Sequence, residues 1–391
     1  MAEDRVIRGR LDPDGPVRDI HVAGGRVVTI APPADPPPSG LVGGGNCVVT
    51  EAFFDIQVNG FAGVDFNRAE VSGEEWRRAT EAMWRHGVSQ FYPTVITGPL
   101  EAMAQRLATV RGAREADAVL ARAIPGIHLE GPFICPEDGP RGAHPRVHVR
   151  DPDWDTFQRL QEAAGGLLRL VTLAPERPGA LDLIGRLQAA GIVVAIGHSD
   201  ATEAEIDSAV AAGAKLSTHL GNGAHALMPR HRNYIQKQLA TDGLLASIIA
   251  DGHHLTEYFV QNVVRCKGVE RVILITDAMA AAAAPPGTYR LGQVLAEAGP
   301  DGAVRLPGTP YLAGSSLTMD RAVDNVQRFA HISLASALAM ATQRPRLLWP
   351  DLPGGLQPGA PADLLLLRDG ERFKGLETII AGETVFRSSG G

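Results

Sequence analysis

The sequence predicts an α/β chain: a (β/α)8 barrel of the TIM type, with a small β-sandwich domain formed from both termini. Three observations carry this reading. Eight short apolar runs recur between Phe53 and Asp277, helix-start signals stand between them, and the two ends share a different, β-rich texture.

The ends come first. RVIRGRL and VRDIHVAGGRVVTI read as strands, the second pair folded about Gly24-Gly25, and the proline-rich APPADPPPSG that follows reads as a loop. At the other end ADLLLLRD, KGLETIIAG and ETVF have the same rhythm, broken by Gly or charge. Residues 1–50 and 352–391 are therefore expected to combine in one small sheet domain, leaving 51–351 to the barrel. The alternative is two unrelated decorations.

The barrel strands follow in order: FFDIQV from Phe53, VSQFYPTVI from Val88, AIPGIHL from Ala123 and LLRLVTLA from Leu167, then GIVVAIG from Gly191, AKLSTHL from Ala214, LLASIIA from Leu244 and RVILITD from Arg271. Most are nearly continuous Val, Ile and Leu, the mark of strands buried on both faces of a parallel sheet. Ser72-x-x-Glu75 opens a helix that Gly87 ends, and Thr202-x-x-Glu205 opens another. An open doubly wound sheet is the alternative, weakened because no GxGxxG follows the first strand.

Composition narrows the function. The 391 residues carry 37 Lys plus Arg against 44 Asp plus Glu, a net charge of −7, which argues against a nucleic-acid partner. With 45% hydrophobic residues a large core is available, and 44 Gly with 28 Pro imply many loops. Cys47, Cys135 and Cys266 are widely spaced with no CxxC, which suits a reducing compartment and excludes a thiolate zinc site. MAEDRVIRGRLDPDG lacks an apolar signal region, and no run approaches the ~18 apolar residues of a membrane span. A cytoplasmic protein without membrane contact is expected.

In a barrel the active-site face lies past the C-terminal strand ends. Here those ends read DIQVNG from Asp55, HLEGP from His128, GHSD from Gly197, THLGN from Thr218, ADGHH from Ala250 and TD from Thr276. A lone buried His is more often a satisfied core residue, but six polar strand ends are hard to explain by chance. Glu130, His198 and His219 supply two imidazoles and a carboxylate, a three-ligand set for a catalytic divalent metal with one position open. Asp277 is then the free carboxylate that can take a proton from an activated water. A helix N-cap is its plainer role, and the two are compatible.

These strand ends together resemble the N-acetylglucosamine-6-phosphate deacetylase family of the amidohydrolase superfamily. The matching stretches are DIQVNGFAGVDFN, HLEGPF, RGAH, IGHSDAT, STHLGN, IIADGHH, ILITDAM, LAGSSLTMD and GGLQPGAPADLLLL, over positions 55 to 367. HLEGPF, GHSDAT and AGSSLTMD are the specific ones; the ADLLLL ending is shared by amidohydrolases generally. The resemblance implies Glu130, His198 and His219 at one divalent metal per subunit, Zn2+ foremost with Fe2+, Co2+ or Mn2+ as alternatives, and Asp277 as catalytic base and acid. It places His144 and His254 against the sugar and its acyl group, Asn222 and Gly223 at the phosphate, and Leu312 and Ala313 in the pocket wall. It also implies a homodimer in which a phosphate-binding arginine, Arg232 in preference to Arg230, reaches the neighbouring site. The implied reaction is metal-dependent hydrolysis of N-acetylglucosamine 6-phosphate to glucosamine 6-phosphate and acetate.

Two departures from that pattern matter. Gln57-Val58-Asn59 stands where many amidohydrolases have His-x-His, and amides are poor zinc ligands, so one metal is expected rather than two. The phosphate segment reads His219-Leu-Gly-Asn-Gly-Ala and then Arg232-Asn-Tyr, where the family has an aromatic in place of Gly221 and Arg-Glu-Pro-Gly later. Alternatives are therefore the same deacylation on another N-acyl amino sugar or small amide, a catalytically silent sugar-phosphate binder, or a phosphoester hydrolase, which usually wants two metals. Glu137, Asp138 and Arg141 read as solvated loop residues, and Met279 with the alanines after it as a flexible loop.

Overall fold

The computed structural model describes residues 4–11, 13–309, 311–368, 373 and 376–388. All eight apolar runs form strands: Phe53–Val58, Val88–Ile96, Ile127–Glu130, Leu168–Leu173, Val193–Ile196, Leu216–Ser217, Leu245–Ile249 and Val272–Ile275. They lie in one sheet in chain order, each parallel to the next. Every residue of the first two is buried, as expected of strands covered on both faces. Backbone bonds close the seam between the first and eighth strands: Asp277 N donates to Gln57 O at 3.0 Å and Asn59 N to Ala278 O at 2.7 Å. Below them the Thr276 hydroxyl donates to the buried Asp55 carboxylate at 2.5 Å. The result is the expected barrel.

The sixth strand is only two residues long, because the chain turns at Thr218-His219 to present the imidazole. Between strands, both expected capping boxes form. Ser72 and Glu75 satisfy each other's backbone N–H groups at the start of Gly73–Trp84, and Thr202 and Glu205 do the same for Glu203–Ala212.

Both chain ends join in a second sheet of seven strands. Arg5–Arg10, Val17–Ala23, Arg26–Ala31 and Val42–Glu51 come from one end; Leu364–Arg368, Glu377–Ile380 and Glu383–Arg387 come from the other. Lys374 and Gly375, in KGLETIIAG, lie outside the described residues. The sheet coils round its own core of Ile7, Ile20, Val49, Leu364 and Ile379. Its edge meets the approach to Leu364, where Val27 N donates to Ala360 O at 2.9 Å and Gly359 N to Val27 O at 2.8 Å. The Arg346 guanidinium ties this sheet to the barrel, donating to Glu51 and Gln90 at 3.0 Å each.

Two features depart from the sequence reading. Met279–Ala282 is buried rather than a flexible loop: Ala278 pairs with both Val58 and Ser315, and Ala280, Ala281 and Ala282 are all buried. After it comes a three-stranded antiparallel sheet, Gly287–Leu291, Val294–Ala298 and Val304–Arg305. Its strands bury few side chains each, so no alternating pattern marked it.

The Thr202 cap gives a stability test. Thr202→Ala is expected to lower the free energy of unfolding by about 1 kcal/mol, with Thr202→Ser near wild type, in urea titration. Equal loss from both substitutions would refute the capping assignment.

Candidate active site

His198, His219 and Asp277 all have left-handed backbone, with φ of 51°, 29° and 48°. This conformation is uncommon for residues with a Cβ and persists only where the surroundings over-determine it. Here they do. His198 O accepts from Cys135 N at 2.8 Å, His219 N donates to Ser247 Oγ at 2.8 Å, and Asp277 O accepts from Ser315 N at 2.9 Å. The strain turns each side chain inward at its strand end.

Three ligand atoms converge there. Glu130 Oε1 lies 3.0 Å from His219 Nε2 and 3.3 Å from His198 Nε2, and the two nitrogens are 3.1 Å apart. A tetrahedral ion with bonds of about 2.05 Å has ligand edges of about 3.3 Å, so the triangle matches a divalent metal. The protonation pattern also fits. His198 Nδ1 lies 2.8 Å from Pro140 O, which takes its proton and turns the Nε2 lone pair inward. Burial alone would raise the Glu130 carboxyl, but its bonds to His198 and His219 hold it well below the usual carboxylate range. Burial opposes the charging of His219 too, and Glu130 reverses that and raises it. Among the described residues a further cluster combines Glu130, His198 and His144, with His144 Nε2 at 3.3 Å from His198 Nε2.

Gln57 and Asn59, set aside as metal ligands, have another use. Asn59 Nδ2 donates to Asp277 Oδ1 at 2.7 Å, and Gln57 Nε2 lies 3.1 Å from Asp277 Oδ1 and 3.0 Å from Glu130 Oε1. The two amides thus hold Asp277 beside the triangle. Burial, with repulsion from Glu130, pushes the Asp277 carboxyl up to about 6.

A second layer, which sequence reasoning missed, fixes these groups. Thr97 Oγ1 lies 2.9 Å from His144 Nδ1, and burial pushes this imidazole down to about 3, so it stays neutral. Glu176 accepts from Ser199 Oγ at 2.7 Å and Asp200 N at 2.8 Å, bracing the turn after His198. Beneath Glu130, His128 bonds Thr172, which bonds Thr218, a chain across three strands.

The site opens into a cavity of about 890 Å3. Glu130, His144, His198, His219 and Asp277 line its floor; Asn222, Gly223, His254, Leu312 and Ala313 line its walls. His254 Nδ1 is held by Asp251 Oδ2 at 2.6 Å. Arg230 and Arg232 are exposed and do not line the cavity of their own chain. Arg141, read from sequence as solvated, does line it: the guanidinium folds back on Asp138 and donates to His144 O at 2.6 Å, stapling the loop. The aromatic expected at position 221 has no room there. A Cβ on Gly221 would come within 2.8 Å of the Phe259 ring, which fills that space from the helix Glu257–Lys267. Asn233 and Tyr234 are structural: Asn233 caps the helix Tyr234–Ala240, and the Tyr234 hydroxyl accepts from His225 N at 2.8 Å.

The amidohydrolase family model matches residues 48–385. The chain is 36% identical to the N-acetylglucosamine-6-phosphate deacetylase of Bos taurus over 360 residues, 88% of this chain and 84% of that one. The chain is an amidohydrolase of the N-acetylglucosamine-6-phosphate deacetylase family. It is also 33% identical to an N-acetylgalactosamine-6-phosphate deacetylase of Escherichia coli O157:H7, over 82% of this chain and 83% of that one. Among solved structures it resembles a mutant of the Mycobacterium smegmatis N-acetyl-D-glucosamine-6-phosphate deacetylase in complex with N-acetyl-D-glucosamine-6-phosphate. The TM-score is 0.88 at 30% identity, covering 98% of this chain and 99% of that one. Family membership makes the chain a hydrolase of amide C–N bonds and implies a divalent metal.

The triangle predicts that His198→Ala and His219→Ala each lose most of the bound metal, measured as metal per subunit by elemental analysis. Full stoichiometry in the His219 variant would instead favour the cluster of Glu130, His144 and His198.

Proposed function

We propose that the chain hydrolyses the acetamide of N-acetylglucosamine 6-phosphate to glucosamine 6-phosphate and acetate. The observation that carries this reading is a half-buried Asp277 carboxylate, held by two amides beside the metal-ligand triangle and, among the described residues, paired with no lysine or arginine. A sugar-phosphate binder has no use for such a base.

Glu130, His198 and His219 would hold the ion, and Zn2+ suits two imidazoles and a carboxylate. When bound, such an ion polarises a carbonyl and makes water a usable nucleophile near neutral pH. Asp277 takes a proton from the attacking water and returns it to the departing amine. Asn59 and Gln57 keep the carboxylate in place through both transfers. His144 faces the acyl oxygen, a role that requires its Nε2–H tautomer, with Nδ1 against the Thr97 hydroxyl. His254, held by Asp251, meets the sugar, with Leu312 and Ala313 along its other side. Asn222 and Gly223 take the phosphate end.

A homodimer completes the phosphate site in this reading. Arg230 and Arg232 are exposed and do not line their own cavity, and nearby Leu227 is 91% exposed, as a segment reserved for a neighbouring subunit would be. The three free cysteines agree with a reducing, cytoplasmic setting. The two sheets support a division into a small domain of 1–50 with 352–391 and a barrel of 51–351. A second reading, N-acetylgalactosamine 6-phosphate as substrate, is favoured by the relatives of that name and by the altered Gly221 segment.

Asp277→Asn should keep its metal and lose turnover by about 10^2-fold or more. Near-normal turnover would remove Asp277 from the base role. The acid limb of kcat/KM follows from the same carboxyl: its basic form is lost as pH falls through about 6, and a bound cation moves that limb lower. A limb centred above pH 7 would contradict the assignment. Kinetics on both N-acetylhexosamine 6-phosphates and on unphosphorylated N-acetylglucosamine decide the substrate. Arg232→Ala is expected to raise KM for the phosphorylated sugars only, and sedimentation should find a dimer.

A further inference from the structure

Arg106, on the helix Leu100–Ala116, is the only arginine among the described residues that is buried outright, at 6% exposure. A guanidinium carries five N–H donors and a permanent charge. Yet Arg106 makes no hydrogen bond and no ion pair with any described residue, and its Nε is buried without a partner. The nearest counter-charge, Asp65, acts on it only through space: its carboxylate accepts from Asn67 N and Gly292 N, each at 2.8 Å, and from no N–H of Arg106. The buried Lys267 shows what this fold does with an ordinary buried cation, donating to Thr241 O at 2.7 Å and Leu244 O at 3.0 Å. Arg106 has no such arrangement.

It faces a small cavity instead, lined by Thr97, Gly98, Pro145, Gly292 and Gln293. Gly98 keeps the space open, since a Cβ there would stand 3.1 Å from Nη1. Room for the centre of an occupant is about 10 Å3, enough for one body of water size. A water would accept one or two of the N–H groups but would add no counter-charge beside the through-space effect of Asp65. A phosphate or carboxylate is too large.

We propose that Arg106 holds a resident monatomic anion, a halide, at this cavity. The site lies behind the active-site wall. Ile96, Leu291 and Val294 line both cavities, Thr97 touches His144, and Pro145 follows it. The anion therefore pins three pieces together: the end of the second barrel strand, the segment after His144, and the turn between Gly287–Leu291 and Val294–Ala298. It takes no part in the chemistry and sets the shape of the pocket wall.

Crystals of the wild-type enzyme grown or soaked in bromide should show an anomalous peak in contact with Arg106. Water density there, with no peak, would overturn the proposal. In solution, the thermal midpoint and kcat/KM of the wild type should rise saturably when chloride replaces gluconate at constant ionic strength. Arg106→Met, which keeps the alkyl stem, should lose that response, and Arg106→Lys should keep part of it. An equal response in wild type and Arg106→Met would also refute the site, and the bromide experiment decides even if the variant fails to fold.

Discussion

Everything at the mouth of this barrel depends on holding three hydrogen-bond acceptors within about 3.3 Å of one another with no apolar material between them. Glu130 Oε1, His198 Nε2 and His219 Nε2 come from three different strands. None would choose this spacing unaided, since lone pairs repel and only a shared cation or proton reconciles them. The fold supplies the constraint through backbone. His198 and His219 sit in left-handed conformations, the first with its carbonyl bonded by Cys135 N and the second with its N–H bonded to Ser247 Oγ.

The same logic extends outward. Asp277 is left-handed too, and it sits where the barrel ring closes, so the bonds that seal the first strand to the eighth also aim the carboxylate. Asp55 and Thr276 lie one layer below and secure that seam from within the core. Gln57 and Asn59 translate the seam into position for Asp277 and Glu130 together. Closure of the barrel and placement of Asp277 share one set of hydrogen bonds, in which Gln57 and Asn59 take part as amides.

Much of this could be read in the chain. The strands were legible because burial on both faces leaves uninterrupted Val, Ile and Leu, and the helix starts because Ser72, Thr202 and their partners cap by local rules. The convergence of Glu130, His198, His219 and Asp277 was legible because these polar side chains fall just past such strands. The meander at 287–305 was not, since its strands bury too few residues to show a period. The buried alanines after Met279 carried no signal at all: small residues suit a loop and a tight interface equally. The Gly and Pro neighbours of Arg141 suggest a solvated residue, while in the fold it lies along the cavity.

By itself, the sequence determined the order of the strands, the two-ended sheet and the identity of the groups at the strand ends, because these follow from periodicity and residue chemistry. How those groups meet one another is set by the packing of the folded chain. That Gln57 serves both Glu130 and Asp277 and that Phe259 fills the place of a residue missing at Gly221 are contacts between residues distant in sequence, and the same packing leaves Arg232 outside its own cavity and Arg106 Nε without an acceptor among the described residues. Such contacts depend on where two chain segments meet in space, and local pattern carries no information about that.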